Sequence, residues 1–100
     1  MSDEIWKIAP VKRPPTSDIE LLDCIRVFIA DAADRPIDTV QADTDIYEEL
    51  AVDSLGASCV FIDISYSFGI PEPKRETDFA ALNTALKIVA YVRAEEASLE

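Results

Sequence analysis

Asp53 and Ser54 are the residues of this chain whose types and spacing best suit chemistry. They end an acidic stretch and open a nearly uncharged apolar run, Leu55 to Phe68. A short oxygen-bearing side chain just ahead of such a run is a helix-start signal, because it can accept hydrogen bonds from the first N–H groups of the helix. The backbone N–H groups and positive dipole end at that point favour an anion, so a phosphate esterified to the Ser54 hydroxyl would be held there. The plainer reading is that Asp53 and Ser54 only cap a helix.

Catalysis by the chain itself is not expected. The sequence has no histidine, hence no Ser-His or Cys-His pair and no histidine-bearing metal site. Asp53 next to Ser54 is not a catalytic dyad. Asp43-Thr44-Asp45 invites a calcium-loop reading, but Tyr47 takes the third ligand position and Glu48 the place of the glycine that turn needs. No metal site is assigned. Cys24 and Cys59 lie in separate helical patterns without a Cys-x-x-Cys or zinc spacing, and read as small apolar residues with free thiols.

The elements that must position the serine can be read in order. A length of 100 residues suits one domain. Residues 1–16 read as a flexible extension: Pro10, Pro14 and Pro15 break any helix, while Ile5, Trp6 and Ile8 are apolar and Lys7, Lys12 and Arg13 make it locally basic, so a docked arm is the alternative. The domain proper is expected over 17–96 and a tail over 97–100, where Leu99-Glu100 carries no functional weight. Ser17-Asp18-Ile19-Glu20 has capping-box spacing and starts a first helix with Leu21, Ile25, Phe28 and Ala32 facing inward. Asp34-Arg35-Pro36 ends it. A long acidic loop follows to Val52, with Val40, Ile46 and Leu50 spaced as anchors.

The second helix, Ser54 to Phe68, carries two apolar stripes. Ala57, Val60, Ile64 and Phe68 suit a core; Leu55, Cys59, Ile62 and Tyr66 form another face that is either buried too or left to a partner. Gly69 is placed to close the helix, and Pro71 and Pro73 prevent its resumption. Thr77-Asp78 can cap a short third helix through Leu82, and Asn83-Thr84 can start a fourth ending near Tyr91-Val92. The expectation is an all-α bundle of four helices with a long first loop and a short third helix.

Asp53-Ser54-Leu55, in this order of elements and in a chain this short, resembles the modification motif of acyl carrier proteins over about Ser17 to Glu95. The resemblance implies a four-helix acyl-carrier-type bundle in which Ser54 bears a 4'-phosphopantetheine arm and Asp53 helps a phosphopantetheinyl transferase recognise the site. It also implies acyl-loading and acyl-transfer or synthase enzymes as partners. Two departures stand out. Asp63 is the only charge between Ser54 and Phe68, where the family usually has several acids, which suggests a specialised carrier with more apolar partners meeting Leu55, Cys59, Ile62, Asp63 and Tyr66. Ala51 stands where a glycine is common, two residues before the Asp-Ser pair, so the turn is made without glycine's freedom.

Charge and hydropathy bound the partners. Twenty acidic against nine basic residues give a formal charge of −11, which repels nucleic acid and anionic membrane. No run is long enough to span a membrane and the N-terminus lacks the order of a secretory signal, so a cytoplasmic monomer is expected. Three functions stay open: an acyl carrier for a specialised lipid or secondary-metabolite pathway, an aminoacyl or peptidyl carrier of the same fold, and an unmodified interaction module in which Ser54 is only a cap.

Overall fold

Residues 13–98 are described by the computed structural model; Ile5, Trp6, Lys7, Ile8 and Lys12 of the extension and the Leu99-Glu100 pair lie outside the described residues. Helix α1 (Asp18–Ala33) begins at Ser17, whose Oγ accepts the Glu20 N–H at 3.4 Å. It ends at Asp34, which enters the left-handed region at φ 55°. There the Asp34 and Arg35 N–H groups turn back onto the Asp31 and Ala30 carbonyls, 3.3 and 3.0 Å away. Those bonds satisfy carbonyls that the helix end leaves open, and Pro36 prevents a further turn.

The long loop holds one short 3-10 turn, Ile37–Thr39, and is otherwise fixed by burial and by side chains. Val40, Ile46 and Leu50 are buried as their spacing predicts, and Val52 joins them. From α1, Arg26 donates to the Val40 carbonyl at 2.5 Å and to that of Ile37 at 3.2 Å. The acids read as a failed calcium loop instead tie a turn. Asp45 Oδ1 accepts the Tyr47 and Glu48 N–H groups, each at 2.9 Å, and Oδ2 accepts the Asn83 amide at 2.7 Å. The Glu48 N–H, more than any other contact, holds the Asp45 carboxyl below its ordinary value, with the Asn83 amide next.

Three further helices complete the bundle: α2 (Ser54–Phe68), the short α3 (Glu76–Ala81) and α4 (Ala85–Ser98). Among the described residues the architecture is all-α, with four helices, as expected. Gly69 closes α2 at φ 68°, a backbone setting that a residue without Cβ adopts at no steric cost. Two boundaries differ from expectation. Helix α3 starts at Glu76 rather than behind a Thr77-Asp78 cap, with Arg75 at its N-cap making no side-chain bond. Helix α4 runs on to Ser98 instead of stopping near Tyr91-Val92. The extra turn and a half is held by Arg93, which pairs with Glu96 and Asp18, both at 2.9 Å, and donates to the Pro15 and Thr16 carbonyls.

Helix α1 packs on both α2 and α4. Its last turn meets the start of α2, where a Cβ on Gly56 would lie 3.0 Å from Val52 Cγ1 and 3.9 Å from the Ala32 carbonyl oxygen. Its first residue, Asp18, meets the far end of α4 at Arg93. Between the helices lie Leu21, Ile25 and Ile29 from α1, Val60, Phe61 and Ile64 from α2, and Ile88 and Val92 from α4, all buried. Phe28, expected in the core, is half-buried and packs its ring 6.1 Å from that of Phe68. The result is a rigid seat for the N-terminus of α2.

Candidate functional site around Ser54

At the entrance to α2 the two polar residues divide their work. Asp53, in extended backbone, is the N-cap, and its Oδ1 accepts the Gly56 N–H at 2.8 Å. Ser54 is the first helical residue; it is exposed, and its hydroxyl makes no hydrogen bond among the described residues. Capping therefore accounts for Asp53 and leaves Ser54 unexplained. The approach to the pair is unusual too: Ala51 sits at φ 56°, in the left-handed region, where the sequence had placed a turn without glycine. That turn returns the Val52 N–H to the Ile46 carbonyl at 3.0 Å, so the loop's buried anchor sets the direction in which Asp53 and Ser54 emerge.

Beside Ser54 opens a pocket of about 480 Å³ between the long loop, α2 and α3, lined by Tyr47, Val52, Ser54, Ala57, Phe79 and Ala80 among others. Its wall includes Tyr47 and Phe79, which no local sequence signal marks as a site: Tyr47 stands in the acidic loop at the third ligand position of a calcium-loop pattern, and Phe79 in a helix too short for periodicity. The two are joined: the Tyr47 hydroxyl donates to the Phe79 carbonyl at 2.7 Å, which latches α3 against the loop. Burial, then the nearby Asp45 carboxylate, pushes the Tyr47 phenol up, so the hydroxyl keeps the proton it donates. Phe79 also packs on the buried Phe61, ring centres 5.1 Å apart. Phe61 lies between the two stripes read from the sequence and belongs to the core.

The two stripes of α2 have separate fates. Ala57, Val60, Ile64 and Phe68 are buried, as their spacing requires. Leu55 is 74% exposed, Ile62 50% and Tyr66 72%, and Cys59 and Asp63 are exposed beside them. The face beginning at Ser54 is thus an apolar surface in contact with solvent, with Asp63 its one charge. Cys24 and Cys59 are free thiols. Among the described residues no cluster of three or more ligating side chains is arranged for a metal, and no helix is long and apolar enough to cross a membrane.

A serine thus stands at the head of the second helix, behind a pinned loop and beside a pocket that the third helix walls. No protein-family model matches the chain. Acyl carrier protein 3 of Ralstonia nicotianae is 33% identical to it over 82 residues, which span 82% of this chain and 92% of that relative. The chain belongs to the acyl carrier protein family.

Proposed function

We propose that the chain is an acyl carrier that bears 4'-phosphopantetheine on Ser54 and serves a specialised lipid or secondary-metabolite pathway. The observation that carries this is the exposed Ser54 hydroxyl, relieved of capping by Asp53 and set on the rim of the 480 Å³ pocket. These residues fit the group. A phosphodiester on Ser54 would lie at a helix N-terminus, where N–H groups and dipole favour its charge, and the pocket wall of Val52, Ala57 and Phe79 offers apolar shelter beside it. When bound, the group supplies a thiol on a long arm that holds an acyl chain as a thioester.

The protein's own residues then supply position and address. The buried anchors of the loop hold Ser54 outward, and the Tyr47 to Phe79 hydrogen bond keeps α3 as the pocket's far wall. Asp53 is the acidic landmark for a phosphopantetheinyl transferase. Leu55, Cys59, Ile62, Asp63 and Tyr66 form the face for that transferase and for acyl-loading, acyl-transfer or synthase enzymes. With a single carboxylate on that face, ion pairs at exposed sites contribute only about 0–1 kcal/mol each, so burial of Leu55 and Ile62 is the larger source of affinity. The carrier unit is residues 17–96, and the chain performs no catalysis of its own. Intact mass after co-expression with a phosphopantetheinyl transferase tests the reading: a single adduct on the wild type and none on Ser54→Ala is expected, and an unmodified wild type leaves the interaction-module reading.

A further inference from the structure

Away from Ser54, α1 presents a flank that the carrier reading does not use. Ile19 is 73% exposed and Val27 51%, and they alternate at four-residue spacing with the exposed Asp23 and Asp31. At the end of this flank lies a second pocket, about 490 Å³, lined by Val27, Ala30, Asp31, Asp34, Pro36 and Ile37, with Arg35 as its one cation. Asp23 already pairs with Arg26, but the side chains of Glu20, Asp31 and Asp34 have no ion pair among the described residues. The flank is both apolar and acidic, which calls for an occupant that is both apolar and basic.

We propose that this occupant is the chain's own N-terminal segment, residues 5–13, docked in cis along α1 with Trp6 in the pocket between Val27 and Ile37. Residues 5–13 hold Ile5, Trp6, Ile8 and Val11 together with Lys7, Lys12 and Arg13, and no acid. The place where the segment joins the body is fixed: Pro14 is buried, and Arg93 holds the Pro15 and Thr16 carbonyls at 2.6 and 3.1 Å, next to the start of α1. Reach agrees with position. Seven residues separate Arg13 from Trp6, about 23–25 Å when extended, and the 14 residues from Ser17 to Asp31 rise about 21 Å along the helix. In this register Lys12 lies near Glu20 and Asp23, and Lys7 near Asp31 and Asp34. Charge decides among the available surfaces. The exposed face of α2 has one carboxylate, Asp63, and the exposed Leu86 at the start of α4 is followed by Lys87 and by no acid before Glu95.

Trp6 is the only tryptophan, so its fluorescence reports the segment alone. Acrylamide quenching of the full chain should be several-fold weaker than that of a peptide of residues 1–16, independent of protein concentration. Quenching should rise to the peptide's value in Val27→Ser and in Asp31→Lys, with helix content by circular dichroism unchanged, and should stay low in Ile62→Ser. Quenching equal to the peptide's in the wild type would overturn the proposal. So would protection lost on dilution, which means docking on a second copy, or protection lost in Ile62→Ser alone, which places the segment on α2.

Discussion

Replacing Ala51 by glycine should stabilise this protein, and the size of the gain can be worked from the backbone. Ala51 sits at φ 56°, where an L-residue's Cβ crowds the following carbonyl at a cost of about 1–2 kcal/mol. Glycine removes that cost but gains freedom in the unfolded chain, worth roughly 0.4–1 kcal/mol in the opposite direction. The methyl group is exposed, so no core packing is lost. The net expectation is a gain of about 0–1.6 kcal/mol centred on ~0.8 kcal/mol, the centre corresponding to about 3–6 °C in Tm for a domain of this size. Urea melts of wild type, Ala51→Gly and Ala51→Val should order the three with glycine highest and valine lowest, since a β-branched residue is least tolerant of positive φ. Asp34→Gly is the internal control. Asp34 has φ 55°, but aspartate visits this region more readily, so its gain should be smaller. A midpoint that falls in Ala51→Gly, or a larger gain at Asp34, would refute the reasoning.

Two further outcomes follow from the exposed α2 face and from the α2–α3 linker. Ile62→Ala should lower stability by less than about 1 kcal/mol, since the side chain is already half in water, yet weaken binding to a cognate loading or transfer enzyme more than Asp63→Asn does. Denaturant melts beside a binding titration check this, and a greater loss from Asp63→Asn would contradict apolar docking. Tyr91 donates its hydroxyl to the Pro71 carbonyl at 2.5 Å, and burial, then Glu95, pushes its phenol up to about 12. A raised value in the folded state means that the contribution is whole below the ordinary value of 10.0 and is lost as pH rises through about 12. Tyr91→Phe should therefore flatten the decline in stability over that interval, and phenolate absorbance should show one late-titrating tyrosine fewer.

Periodicity made the three long helices legible because each has a strong inward stripe: Leu21 and Ile25 in α1, Val60 and Ile64 in α2, Ile88 and Val92 in α4. Local chemistry marked the ends that carry their own stop, at Ser17, at Asp34-Arg35-Pro36 and at Gly69. The end of α4 was not legible in that way. It depends on Arg93 reaching Asp18 and the Pro15 and Thr16 carbonyls, residues more than seventy positions away. The pocket escaped for the same reason: Tyr47 and Phe79 are 32 positions apart, and only folding brings the hydroxyl of one to the carbonyl of the other. Ser54 was readable because its signal is local, an Asp-Ser pair at the head of an apolar run. Its freedom from capping was not, since either residue of the pair could have served as the N-cap.

The most direct test of the central claim is site mapping after transfer. The purified apo chain, incubated with coenzyme A and a broad-specificity phosphopantetheinyl transferase, should gain one phosphopantetheine, and fragmentation of the modified peptide should place it on Ser54. Ser54→Ala should keep its helical spectrum and gain nothing. Addition at another residue, or no addition to the wild type, would contradict the assignment of Ser54 as the carrier residue.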